Sequence, residues 1–303
     1  MLLDMEKIKN SILKPYGHTE TLFYYSKVAP KLKNFLKGKE IAAKNWIPKG
    51  PMPYLIKRGS KLEPLYIEEF SCIDEKFLKT RAEMEHLGEA ASMLTAKQKK
   101  IWEYFLPRKL ADFFYATNGE KAGKPIERIF IDIDRGKDTT SEQAQEVARI
   151  LVGLIKADKE LQKGFPHKLF VMWTGSSFHV YLLLKKQISN AQYEQFFAYK
   201  KDFPLQSFIG RWAAAIQKQV GFKVSGSHEK IPQGISLDPS QTPSGKLARA
   251  PFSLHMKTAR QVDGVALPVE EKQLNDKQLI KKLSAYTPEK VLEELNKLAK
   301  LLP

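Results

Sequence analysis

Arg128-Ile129-Phe130-Ile131-Asp132-Ile133-Asp134 is the stretch that decides the fold. Its isoleucines fall on every second residue, the spacing of a β-strand that buries one face. On the other face Asp132 and Asp134 project the same way, with Cα atoms roughly 6 to 7 Å apart. Two ionised carboxylates so placed repel unless one is protonated or a cation sits between them. A divalent ion is the usual remedy where phosphates are handled, because Mg²⁺ takes hard oxygen donors and keeps sites for waters and phosphate oxygens. Alone, two aspartates at a strand end are a common exposed pair, so other elements must carry part of the argument.

Working outward, a helix should follow. Thr139 and Glu142 have the spacing of a capping box, and Ala144, Val147, Ala148, Leu151, Leu154 and Ile155 recur at helical intervals. Lys168 to Trp173 and Phe178 to Leu184 read as two strands of a hairpin joined by Thr174-Gly175-Ser176-Ser177. Ala191 to Val220 reads as helical with a break near Pro204, and Gly234 to Asp238 as a short strand. Thr287 and Pro288 open a final amphipathic helix through Leu302. Upstream, helical periodicity spans Ser92 to Tyr115, Gly119 to Pro125 reads as a loop, and the turn from Pro48 to Pro53 separates two strands. This order predicts an α+β fold with a mixed or antiparallel sheet.

The 303 residues carry 50 Lys and Arg against 34 Asp and Glu, a net charge of +16, with an ordinary hydrophobic share of 43%. General disorder is excluded, and a polyanion is the expected partner, nucleic acid before an anionic membrane. The excess is concentrated: ten Lys and Arg lie between Lys27 and Lys61 with Glu40 as the one acid. Phe35, Trp46 and Tyr54 interleave them, which as a group suggests a track for a nucleic-acid backbone with aromatic platforms. For any single lysine, a solvated surface is the better reading. Cys72 is the one cysteine, which rules out an intrachain disulfide and a cysteine-rich zinc site and fits a reducing compartment. The N-terminus lacks a signal-peptide pattern, and apolar runs such as Leu182 to Leu184 are too short for a bilayer.

Two further motifs raise the weight of the aspartate pair. Gly175-Ser176-Ser177-Phe178-His179 offers backbone N–H groups, a hydroxyl and an imidazole suited to phosphate oxygens, and Leu237-Asp238 ends a short strand with another carboxylate. Taken singly, His179 is a satisfied strand histidine and Asp238 a turn aspartate. Downstream, Lys246, Arg249, Ser253, His255 and Lys257 form a donor-rich segment that would hold a triphosphate if it ran beside the carboxylates, and is otherwise a basic loop.

Together, Ile131-Asp-Ile-Asp134, Gly175-Ser-Ser-Phe-His179, Leu237-Asp238 and Ala250-Pro-Phe-Ser-Leu-His255 resemble the archaeo-eukaryotic primase superfamily. The nearest likeness is to the primase-polymerase domain of ligase D, the prokaryotic end-joining enzyme. Tyr24-Tyr-Ser-Lys-Val-Ala-Pro30, Leu36-Lys-Gly-Lys39 and Val265-Ala-Leu-Pro-Val269 resemble its flanks, so the likeness spans roughly Tyr16 to Val269. The resemblance implies one catalytic domain over 1–303. An RRM-like mixed or antiparallel sheet would occupy about 125–270, an interlocked N-terminal α/β module about 1–120, and a helical tail about 275–303. It also implies that Asp132, Asp134 and Asp238 bind two Mg²⁺ or Mn²⁺ ions. Ser177, His179, Arg249, Ser253, His255 and Lys257 would contact the nucleotide. Lys57 and Arg58 are assigned to the DNA backbone or its 5′-phosphate. Two departures stand out: the turn Thr174 to His179 lacks the lysine-bearing loop of ligase D, and His255 stands where those domains usually carry arginine, as in replicative primases.

The expected function is metal-dependent, DNA-directed nucleotide transfer that extends primers and fills gaps during non-homologous end joining. Its partners would be nucleoside triphosphates, DNA with gaps, overhangs or a 5′-phosphate, Ku, and a separately encoded ligase. A prokaryotic, cytoplasmic, nucleoid-associated location follows from the same resemblance. The rivals are a replicative or plasmid primase, a two-metal nuclease using the same carboxylates, and a non-catalytic nucleic-acid-binding module.

Overall fold

The computed structural model describes residues 17–47, 53–56, 62–107, 109–257 and 261–303. Mixed helices and sheets confirm the α+β expectation. The chain forms two compact units: the first takes residues up to Ala116 together with Arg249–Ala266 and Tyr286–Leu302, and the second takes Thr117–Ala248 and Leu267–Ala285. Lys57 and Arg58 lie outside the described residues.

Unit 1 is built on helix α1 (His18–Leu32) and on β1 (Ile41–Trp46), which pairs antiparallel with β2 (Tyr54–Ile56) on one edge and β3 (Leu110–Ala116) on the other. Tyr25, Phe70, Phe105 and Phe113 form its aromatic centre, with ring centroids 5.3 to 6.4 Å apart in tilted and edge-on pairs. Phe35, expected as an exposed platform, is buried edge-on against Tyr115. The helical expectation for Ser92 to Tyr115 holds only in part. Helix α2 (Glu75–Glu83) precedes the stretch and α3 (Ala96–Tyr104) lies within it, opened by a Thr95–Gln98 capping box, but Leu110 starts a strand. In Leu110-Ala-Asp-Phe-Phe-Tyr-Ala116, aromatic β-formers outweigh the helical spacing once they pair with β1.

The returning segment Arg249–Ala266 is fastened to unit 1 by α1 and β3. The Tyr24 hydroxyl donates to the Phe252 carbonyl and the Tyr25 hydroxyl to the Ala111 carbonyl, while the Leu254 N–H donates to the Tyr25 oxygen. The Ala250 N–H donates to the Phe113 carbonyl, and the Phe113 N–H donates to the Ser253 hydroxyl. Phe252 sits at the turn of this segment with φ 62°, a strained conformation for a non-glycine residue that the surrounding bonds enforce. The final helix starts at Thr287 and Pro288 as expected, but Glu294 breaks it into Pro288–Glu293 and Leu295–Ala299, both packed on α1.

Unit 2 carries a six-stranded sheet whose centre is β4 (Ile126–Arg135). Its other strands are β5 (His167–Trp173), β6 (Phe178–Ile188), β7 (Lys223–Gly226), β8 (Gly234–Asp238) and β9 (Leu267–Val269), in the order β9-β5-β6-β4-β8-β7. All pairings are antiparallel except β7 with β8, so the sheet is mixed. Ile129, Ile131 and Ile133 are fully buried, as the alternation predicts, and α4 (Ser141–Ala157) packs on β4 and β6. The cap of α4 is Thr140 with Gln143, one residue later than the Thr139–Glu142 pair read from sequence. Thr139 instead donates its hydroxyl to the Gly136 carbonyl. Beyond β6, α5 (Asn190–Phe196) and α6 (Phe208–Gln217) flank the break near Pro204. No helix among the described residues is long and apolar enough to cross a membrane.

Candidate active site

The central position of β4 places Asp132 between two neighbours. Its register partner on β6 is His179 and its partner on β8 is Asp238, while Asp134 faces Ser236. Directly opposed residues of antiparallel strands share a face, with Cβ atoms about 4.5 to 5.5 Å apart. Pairing alone therefore brings three carboxylates and an imidazole, distant in sequence, onto one patch of the sheet.

Each acid is turned to a local partner. His179 Nε2 lies 3.3 Å from Asp132 Oδ1. The Lys230 ammonium lies 3.0 Å from Asp134 Oδ1. Asp238 accepts from the Ser240 N–H at 2.8 Å and from its hydroxyl at 3.0 Å, in the local turn that Pro239 favours. As they stand, no three His, Cys, Asp or Glu side chains among the described residues form a group ready to hold a metal ion. The donor set nevertheless suits a hard cation. Burial, with repulsion from Asp132 next, raises the pKa of Asp134, and Lys230 only partly offsets this. Burial also raises that of Asp238, against the Ser240 hydrogen bonds and with help from Asp132. A divalent ion would relieve both strains, and the partners it must displace are one lysine and a short serine turn.

The hairpin turn is braced from two sides. Ser177 donates its hydroxyl to the Ile133 carbonyl, between the two aspartates, and Ser141 at the start of α4 donates to the Ser176 carbonyl at 2.8 Å. The Ser177 N–H is also taken, by the Thr174 hydroxyl. Gly175 has φ 101°, which only glycine adopts freely. Ser177, expected as a phosphate donor, thus has its donors engaged in tying the turn to β4. His179 is buried against Phe130, with ring centroids 4.7 Å apart, and its buried Nδ1 has no hydrogen-bond partner among the described residues. The ring nitrogen that faces the carboxylate row is Nε2, beside Asp132, while Nδ1 is enclosed in the fold.

The donor-rich segment divides. Lys246 is an exposed residue of unit 2, whereas Arg249, Ser253, His255 and Lys257 belong to unit 1. Arg249 is buried: its guanidinium donates to Asp112 Oδ2 at 2.9 Å and to the Leu254 carbonyl, over the ring of Phe114. Ser253 is fully buried, accepting from the Phe113 N–H and donating to the Leu254 carbonyl, so it fastens the segment and presents no hydroxyl to a nucleotide. Burial, then Arg249 and Lys257, lowers the His255 pKa to about 3, so it is a neutral imidazole at physiological pH. Lys257 remains exposed.

Three further residues escaped the sequence reading. Asp112 also accepts from the Trp46 indole N–H at 2.9 Å, and Lys44 lies 5.0 Å from the Trp46 ring centroid. An acid in the middle of an apolar strand was the visible signal for Asp112. Lys230, one lysine in a polar loop, offered none.

A sequence profile of the LigD primase-polymerase domain matches residues 19–302. The chain belongs to that family. Its broad chemistry is therefore nucleotidyl transfer of the primase-polymerase kind. Among solved structures, the polymerase domain of Mycobacterium tuberculosis ligase D in complex with DNA aligns with a TM-score of 0.56 and 17% identity, over 94% of this chain and 93% of that one. At this identity the likeness supports the fold. No curated protein matches the chain.

Proposed function

We propose that the protein is a metal-dependent, DNA-directed nucleotidyltransferase that extends primers and fills gaps with ribo- or deoxyribonucleotides during non-homologous end joining. The register that sets Asp132 opposite both Asp238 and His179 carries this reading. Asp132, Asp134 and Asp238 would hold two Mg²⁺ or Mn²⁺ ions. Such ions supply Lewis acidity, lowering the pKa of a primer 3′-hydroxyl and neutralising a pyrophosphate leaving group.

The chain's own groups do the positioning. The braced turn Thr174–Ser177 fixes the entrance of β6 and with it His179, whose Nε2 stands beside Asp132 in the carboxylate row. Within unit 1, Lys257 and Lys44 are cationic groups of the kind that hold phosphates, and neutral His255 can give or accept one hydrogen bond. Arg249 and Ser253 act by holding that segment in shape. The basic excess fits a DNA partner, as does the relative solved with DNA. Ku and a DNA ligase would complete the repair.

The test is primer extension on a gapped, 5′-phosphorylated duplex with each nucleotide type and each metal. Lengthening of the primer that depends on a divalent ion is expected. Shortening of labelled DNA without nucleotides would indicate a nuclease, and synthesis on a bare single strand without primer would indicate a primase.

A further inference from the structure

The acidic patch of unit 2 already holds a cation of its own. Lys230 pairs with Asp134 at 3.0 Å, and its side chain is 67% exposed, against 21% for the aspartate. The backbone that carries it is fixed. The Ser236 hydroxyl donates to the Glu229 carbonyl at 2.8 Å, the Asp138 N–H donates to the Pro232 carbonyl at 3.1 Å, and the Gly234 N–H donates to the Ile231 carbonyl at 3.1 Å. At Gly136 a Cβ would stand 1.9 Å from the Ile231 carbonyl oxygen, so the loop lies directly on the end of β4. A pinned backbone with a long exposed side chain lets the ammonium reach Asp134 and leave it without refolding. Exposed ion pairs are weak enough to exchange.

We infer that Lys230 is a built-in, exchangeable counter-cation of the carboxylate row, neutralising Asp134 until a divalent ion displaces it. The inference rests on the metal reading above. Two consequences follow from competition for one carboxylate. Metal affinity is held down while no nucleotide is bound. The displaced ammonium stays within a lysine's reach of the row, where an incoming triphosphate is its natural partner, so nucleotide and metal load together.

Mn²⁺ binding followed by electron paramagnetic resonance tests this without turnover. The chains compared are wild type, Lys230→Gln, Asp134→Asn, the double variant, and Lys201→Gln as an exposed lysine elsewhere in unit 2. Lys230→Gln should bind Mn²⁺ about fivefold to tenfold more tightly than wild type without nucleotide, the scale of one coupled charge. The gain should vanish in the Asp134→Asn background, shrink when a non-hydrolysable triphosphate is added, and be absent in Lys201→Gln. Equal affinity of Lys230→Gln and wild type, or an equal gain from Lys201→Gln, overturns the counter-cation while leaving the metal reading intact. No Mn²⁺ binding by folded wild type and folded Lys230→Gln, with or without nucleotide, overturns the metal reading and the inference with it.

Discussion

In unit 2 three aspartates line one patch of the sheet with a lysine, a histidine and a serine turn against them, whereas in unit 1 Asp112 lies fully buried between Trp46 and Arg249. Both are charged centres on β-sheets where burial raises a carboxylate pKa, and they differ in the neighbours that act on it. Asp112 has a hydrogen-bond donor on each oxygen, one of them a guanidinium, which offsets part of the burial that raises its pKa. The acids of unit 2 repel one another, and their best cation is an exposed lysine. Such a mismatch is retained where a ligand completes the balance, whereas a satisfied network holds structure together.

The sharpest way to break the comparison is to remove one acid at a time. Asp132→Ala, Asp134→Ala or Asp238→Ala should lower primer extension at least about a hundredfold, the scale of lost electrostatic stabilisation at a reacting centre. Circular dichroism should show the fold retained. The opposite result is expected in unit 1. Arg249→Ala would leave Asp112 buried without its cation and should lower stability to urea by about 3 to 5 kcal/mol. A stable Arg249→Ala protein with only a raised KM for nucleotide would instead make Arg249 a direct ligand.

Two smaller effects depend on pH. His255 has its pKa depressed to about 3, so folding favours the neutral ring. Its contribution is intact above the ordinary value of 6.5 and is lost as pH falls from there towards 3, at no more than about 1.4 kcal/mol per pH unit. Thermal melts of His255→Gln between pH 7 and 4 should show a flatter acid limb than wild type. Asp134 behaves in the opposite sense, since its folded pKa is raised. Its contribution is favourable below the ordinary value of 3.8 and is lost as pH rises through the raised one. Asp134→Asn should therefore melt higher than wild type at neutral pH without divalent ions, and Mg²⁺ should reverse the order.

The elements that position the acids were legible because each has a strong local period. The isoleucine alternation of β4, the hairpin of β5 and β6 and the strand ending at Asp238 all stand where their residues predict. What could not be read was register, since pairing Asp132 with both His179 and Asp238 is a property of three strands that no single stretch encodes. The cap of α4 moved by one residue because Thr139 and Thr140 offer equivalent hydroxyls and only the strand end at Gly136 chooses between them. The internal bonding of the donor-rich segment was hidden for a related reason. Arg249 and Ser253 have the chemistry of phosphate ligands, and their bonds to Asp112 and to the Phe113 N–H depend on strand packing that the segment alone does not encode. Conversely, the co-occurrence of Tyr24-Tyr25 with Phe252 to Leu254 has a physical cause, because those hydroxyls fasten that turn.

The most direct measurement is an anomalous difference map from crystals soaked in Mn²⁺ with a non-hydrolysable nucleoside triphosphate. A peak bounded by carboxylate oxygens of Asp132, Asp134 and Asp238, with Lys230 swung off Asp134, is the expected result. Ordered triphosphate density without manganese at those carboxylates, or manganese bound only elsewhere on the chain, would contradict it.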